Sequence, residues 1–205
     1  MVQATRRNPM PLLDSTRSTL VLIDMQGKLV HMVHRPEMVL EATRRLMKLA
    51  ELFSVPVVLT EQYPKGLGPT EPTLLEAFGR LSTPTFRLDK NSFSCCGDPA
   101  FTGLLRRARP GLPIQQHQVV VTGIEAHVCV LQTVLELLAA GYRVHVCWDA
   151  VSGRGEEYRA QALRRMEAAG ATLTNHESVG FEWARHKDHP AFKALSAILK
   201  EGQPG

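Results

Sequence analysis

The sequence holds no run of eighteen apolar residues, so no segment of it reads as a membrane-spanning helix. The first seventeen residues lack an apolar h-region and do not read as a secretory signal. Arg6, Arg7 and Arg17, with little acid among them, leave a weak organelle-targeting reading beside that of a solvated tail. Cysteine is scarce. Cys95, Cys96, Cys129 and Cys147 form no C-x-x-C pair and no disulfide ladder, and adjacent cysteines such as Cys95 and Cys96 seldom pair because the linkage is strained. A reducing, cytoplasmic setting is expected. Neither GxGxxG nor a P-loop pattern occurs, so a dinucleotide or nucleotide-phosphate site has no support. There is no long block of one charge. The 24 Lys and Arg are mixed with 20 Asp and Glu, for a net charge of +4. That balance gives a mild pull on acidic substrates and no expectation of nucleic-acid binding.

The 205 residues are 44% hydrophobic and 21% charged, enough for one domain with a full core. Strand-like runs occur at Thr19 to Ile23, Pro56 to Thr60, Thr85 to Leu88, Gln118 to Thr122, Arg143 to Trp148 and Ala171 to Thr174. Most are apolar on consecutive residues, the pattern of strands covered on both faces. Helical patterns lie between them. Met38, Ala42, Leu46, Leu49 and Phe53 share one face, and Ala126 to Ala140 is apolar nearly all round. The latter ends at Gly141, and Glu156 to Ala169 ends at Gly170; both glycines suit the residue after a helix. This alternation predicts one Rossmann-like, three-layer α/β domain over residues 16–200. It would carry a six-stranded parallel sheet with helices on both faces. Residues 1–15 and 201–205 are expected as flexible tails. Pro64 to Pro72, dense in Gly and Pro, is expected as a loop over the sheet edge.

Three chemically active residues stand where short apolar runs break. Leu20 to Ile23 run into Asp24, Phe86 to Leu88 into Lys90, and Val119 to Val121 into a turn carrying Cys129. In a doubly wound sheet, ligands bind beyond the carboxyl ends of the strands, where strand order reverses. The first and fourth strands flank that point in the usual order, which would bring Asp24 and Cys129 to one crevice. Cys129 falls in the first turn of the expected buried helix, where the helix dipole and Lys90 would favour a thiolate. Asp24 would take the thiol proton, and backbone N–H groups would hold an oxyanion. Each residue has an ordinary structural explanation as well. A Cys in an apolar helix packs, an Asp after a strand caps a turn, and a loop Lys is solvated.

The segments around these residues are LVLIDMQ (Leu20 to Gln26), RLDKNSFS (Arg87 to Ser94) and VVVTGIEAHVCV (Val119 to Val130). Together they resemble the isochorismatase-like cysteine hydrolases over about Thr16 to Leu199. TEQYPKGLGPT (Thr60 to Thr70) is similar to the isochorismatase domain-containing subgroup. The resemblance implies Asp24 as general base, Lys90 as orienting cation and Cys129 as nucleophile. It also implies a cis peptide at Ile124–Glu125 and an oxyanion hole formed by the N–H groups of Glu125 and Cys129. Small-molecule substrates and a homodimer or larger homo-oligomer follow from the same likeness. Two departures narrow the expectation. The stretch Thr60, Glu61, Gln62, Tyr63 has none of the histidines that hold metal in related nicotinamidases, so no metal or other cofactor is expected. Isochorismatases that cleave a vinyl ether lack the nucleophilic cysteine, so retention of Cys129 points to hydrolysis of a small amide or related acyl compound through a thioester. The alternative is a catalytically silent interaction protein that keeps the fold.

Gln26, Glu61, Tyr63 and Phe93 are expected to line the substrate pocket, with Gly66 and Gly68 as hinges of a Tyr63 loop. His31 and His34, and His186 and His189, have a spacing that can place two rings on one helix face, but neither pair has a Cys or acid partner at a metal-ligand spacing, and Pro36 and Pro190 disturb the surrounding helices. His127, two residues before Cys129, is expected to point elsewhere.

Overall fold

The computed structural model describes residues 12–201. Six strands form one all-parallel sheet: β1 (Ser18–Ile23), β2 (Val57–Gln62), β3 (Thr85–Lys90), β4 (Gln118–Gly123), β5 (Arg143–Val151) and β6 (Thr172–Thr174). Their order across the sheet is β3-β2-β1-β4-β5-β6, so the order reverses between β1 and β4. Nine α-helices are described: α1 (Gly27–Val30), α2 (Pro36–Leu52), α3 (Pro64–Leu67), α4 (Pro72–Gly79), α5 (Pro99–Ala108), α6 (Leu131–Ala139), α7 (Glu156–Ala168), α8 (His176–Ala184) and α9 (Phe192–Lys200).

The consecutive apolar runs serve two cores at once. In β1, Leu20 and Leu22 enter one core with residues of α2, α4, α8 and α9. Val21 and Ile23 enter the other with residues of α5, α6 and α7. All six β1 residues are buried. This is the cost-free way to satisfy a parallel strand: side chains alternate, and each face meets a helical layer. β3 is an edge strand and stays half exposed until Lys90.

The expected fold class holds, with local differences. β3 runs two residues past Leu88, because Glu61 and Gln62 pair with Asp89 and Lys90, so Lys90 ends the strand instead of following it. Pro64–Leu67 forms one helical turn where a plain loop was expected, with Pro64 at a position where its missing N–H costs nothing. The helix expected from Ala126 opens with a wider π turn over Ala126–Val130, and regular α geometry begins at Leu131. Part of the expected tails is packed. Leu13 is wholly buried, its N–H donates to Glu182 Oε2 at 2.7 Å, and the Asp14 N–H donates to Gln118 Oε1 at 2.7 Å. Glu201 pairs with Lys48 at 2.5 Å. Residues 1–11 and 202–205 of the expected tails lie outside the described residues.

Candidate active site

Parallel pairing puts the carboxyl ends of β1, β3 and β4 on one edge of the sheet. β1 ends at Ile23 and runs into Asp24, whose positive φ of 52° turns the chain out of the strand. β4 ends in Gly123, paired with Ile23. A Cβ on Gly123 would lie 2.2 Å from the Ile23 carbonyl oxygen, and its φ is 138°, so only glycine lets β4 close against β1 here. The peptide between Ile124 and Glu125 is cis, at the position the resemblance implied. The π turn then brings in Cys129.

Lys90 is the hub of the site. Its side chain is fully enclosed, and Nζ donates to Asp24 Oδ2 at 2.7 Å, Gln62 Oε1 at 2.8 Å, Phe93 O at 2.9 Å and Ser92 O at 3.1 Å. Asp24 Oδ1 accepts from the Thr60 hydroxyl at 2.7 Å. Gln62 is fixed in turn by donating to Asn91 O at 2.7 Å. The charged pair is therefore buried with every ammonium proton and both carboxylate oxygens hydrogen-bonded, the condition under which such a pair persists.

Cys129 is 7% exposed. Its carbonyl accepts from Thr133 Oγ1 at 2.7 Å, and the same hydroxyl accepts from the Cys95 N–H at 2.9 Å. Burial first, and the Asp24 carboxylate second, push the Cys129 thiol well above the ordinary cysteine range. Lys90 acts in the opposite sense and does not win. Burial thus works against the thiolate that the helix end and Lys90 favour. Burial and Asp24 also push the neighbouring Cys95 thiol up, to about 12.

Around the cis peptide the backbone amides are unequally engaged. Ile124 N–H donates to Ile23 O at 2.9 Å and Ala126 N–H to Ser152 O at 2.7 Å. Among the described residues, the Glu125 N–H has no partner. The Glu125 carboxylate accepts from Arg154 Nε at 2.8 Å and Nη2 at 3.2 Å.

A cavity of about 260 Å³ opens over Cys129 and Asp24. Leu29, Leu67, Phe93, Ile124 and Val128 give it apolar walls, and Gln62, Glu125 and Arg154 complete it. Of the four expected pocket residues, only Phe93 lies there. Gln26 and Glu61 are buried with their polar atoms consumed. Gln26 accepts from the Gln62 N–H at 2.6 Å and donates to Gly68 O at 2.7 Å and Gln62 O at 3.0 Å. Glu61 accepts from the Thr70 N–H at 2.6 Å and hydroxyl at 2.7 Å, and pairs with Arg87 at 2.5 Å. Both tie the segment after β2 to the sheet. Tyr63 lines an adjacent depression with Asp89, Lys90 and Asn91, and its ring covers Gly66. His127 stacks on Tyr158 at 4.9 Å and does not line the cavity. His34 pairs with Glu156 at 3.2 Å, and His189 Nδ1 accepts from the Ala191 N–H at 3.1 Å. Sequence reasoning missed Thr60, Gln62 and Arg154. The signal for Gln62 was the strand parity that places it beside Lys90; Arg154, on an irregular segment after β5, gave none.

The family model for the Isochorismatase domain matches residues 18–178. The chain is 41% identical to isochorismatase domain-containing protein 2 of Bos taurus over 187 residues, covering 91% of this chain and 85% of the bovine protein. Among solved structures it is similar to the MAR1 ribonuclease of Caenorhabditis elegans, at 38% identity and a TM-score of 0.83, over 95% of each chain. It is also similar to YcaC from Pseudomonas aeruginosa, solved with hexane-2,5-diol and covalent acrylamide. There the identity is 26% and the TM-score 0.82, covering 94% of this chain and 93% of that one. The matched span contains all six strands, Asp24, Lys90 and Cys129, and on this ground the chain belongs to the isochorismatase family.

Proposed function

We propose that the protein is a cysteine hydrolase that cleaves small amides or related acyl compounds through a thioester on Cys129. The observation that carries this reading is a buried cysteine and a carboxylate lining one small cavity, with the carboxylate held in place by a buried lysine. The cysteine Sγ attacks the carbonyl carbon while its proton passes to Asp24. The oxyanion is held by the N–H groups of Glu125 and Cys129. Asp24 returns the proton to the amide nitrogen, the C–N bond breaks and the amine leaves. Water then attacks the thioester and gives Asp24 a proton. The C–S bond breaks, and the proton returns to sulfur as the acid departs.

Lys90 orients Asp24 and offsets its charge, so the carboxylate can exist while buried. The reading needs no metal. Asp24 and Glu125 are each already paired with a cation of the protein, and no histidine is among the residues lining the cavity. The P. aeruginosa neighbour, with its covalent acrylamide, supports a fold that presents a reactive group to a small amide-bearing electrophile. The expected homo-oligomer is part of this reading, supported by the exposed apolar side chains of Leu67 and Phe93 around the cavity mouth. No helix among the described residues is long and apolar enough to cross a membrane.

A screen of small amides for amine or ammonia release tests the proposal. A found activity should fall at least a thousandfold in Cys129→Ala. Activity retained in that variant would overturn it. The C. elegans neighbour is named a ribonuclease, which favours a second reading, cleavage of RNA. RNA cut by the wild type and not by Asp24→Asn, in a preparation inert toward amides, would replace the first reading with the second.

A further inference from the structure

The charges around the cavity cancel in pairs. Glu125, whose side chain is 7% exposed, takes both hydrogen bonds of the Arg154 fork, while Arg154 itself is 66% exposed at the rim. Behind the thiol, the Lys90 ammonium is enclosed, and its three protons are shared among four protein acceptors. Each cation near Cys129 thus has a carboxylate of its own, Asp24 for Lys90 and Glu125 for Arg154. The remaining walls are the apolar side chains of Leu29, Leu67, Phe93, Ile124 and Val128. An entering carboxylate would lose its water, meet two fixed carboxylates and find no unbalanced positive charge. The cavity itself is small, about 260 Å³.

From this we infer that the Glu125–Arg154 pair is a specificity lock. It ties up the rim cation and confines the site to uncharged acyl compounds with a small apolar body. The inference rests on Cys129 being the reacting group and narrows the substrate class of the proposed hydrolase. Its alternative is that Arg154 swings off Glu125 to grip a substrate carboxylate, the usual service of an exposed guanidinium fork.

Iodoacetamide and iodoacetate separate the two. They are nearly equal in size and differ in charge. With either, the Cys129 sulfur–carbon bond forms, the carbon–iodine bond breaks, iodide leaves and the thiol proton passes to Asp24. Labelling of the intact protein is followed at the Cys129 peptide by mass spectrometry. Each rate is divided by that of reduced glutathione under the same conditions. The lock predicts a normalised preference for iodoacetamide of at least tenfold. Glu125→Gln, which leaves Arg154 without its counter-charge, should shrink the preference to threefold or less. Arg154→Gln, which leaves Glu125 alone at the rim, should widen it, so the proposal stays testable if one variant does not fold. A wild-type preference near one, or a preference that neither variant moves, overturns the lock.

Protection experiments test the apolar part. Isobutyramide should shield Cys129 from iodoacetamide at several-fold lower concentration than acetamide, and isobutyrate should shield it at no less than tenfold higher concentration than isobutyramide. Equal protection by acetamide and isobutyramide overturns the apolar body, and equal protection by isobutyrate overturns the charge rule. Failure of the lock remains distinct from failure of the hydrolase. A wrong lock with a right hydrolase gives amide turnover that needs Cys129 but a preference near one. A right lock with a wrong hydrolase gives the preference without turnover.

Discussion

The Lys90 ammonium meets the Asp24 carboxylate at 2.7 Å, with neither side chain reaching solvent. The pair joins the end of an edge strand to the end of a central one, two strands away in the sheet. Removing one partner leaves an uncompensated buried charge, which costs about 3–5 kcal/mol in comparable sites. Lys90→Met should lower unfolding stability by that order in urea titrations. The double variant Asp24→Asn/Lys90→Met should recover part of the loss, because no charge is left stranded. Additive losses would show that the two residues do not act as a pair.

Gly123 is the hinge on which the crevice is built. Gly123→Ala would drive a methyl against the Ile23 carbonyl at a φ that L residues rarely adopt. A loss of about 2–4 kcal/mol is expected. A melting temperature within a degree or two of wild type would contradict the close approach of β4 to β1.

Two buried histidines set the acid limb of stability. Burial, helped by Arg109 for His117 and by Arg143 for His145, lowers both to about 4. The unfolded chain binds these protons first as pH falls through about 6.5. Their contribution, up to about 3 kcal/mol each, is therefore complete above about pH 6.5 and is lost as pH falls toward about 4. The slope of unfolding free energy against pH, taken near pH 5, should become shallower by about 1 kcal/mol per pH unit in His145→Phe. An unchanged slope would mean that His145 is not held neutral in the fold.

Phe93 contributes to the site twice: its carbonyl accepts from Lys90, and its ring walls the cavity. Phe93→Ala keeps the carbonyl and deletes the wall. On any substrate found, KM should rise about five- to thirtyfold, for a loss of about 1–2 kcal/mol of apolar contact, with kcat changed much less. Unchanged KM and kcat would remove Phe93 from the pocket.

The layers and the meeting of Asp24 with Cys129 were legible because runs such as Leu20 to Ile23 are apolar at every position. That demands two covered faces, and parallel topology then places strand ends together. Side-chain parity at the ends of strands was not legible. Glu61 and Gln62 are neighbours of similar polarity, and only the pairing of Gln62 with Lys90 shows which one faces the site. Gln26 and Glu61 read as pocket residues because polar groups at strand ends often bind ligands. Here they hold the chain from Gln62 to Thr70 in place. Arg154 carries no motif at all. It reaches the cavity because β5 shifts register against β4 between Val121 and Gly123 and pairs Val151 with Gly123. The degree of burial around the thiol was not legible either, and it works against the thiolate that the helix end and Lys90 favour.

The central claim is that Cys129 forms an acyl-enzyme, and the most direct measurement uses p-nitrophenyl acetate, a small neutral acyl donor. The chromophore is followed in a stopped flow, and the quenched protein is digested for mass spectrometry. The account predicts a burst of about one p-nitrophenolate per chain and an acetyl group on the peptide carrying Cys129, both lost in Cys129→Ala. No burst from the folded protein, or acetyl found on Cys96 with Cys129 unmodified, would contradict it.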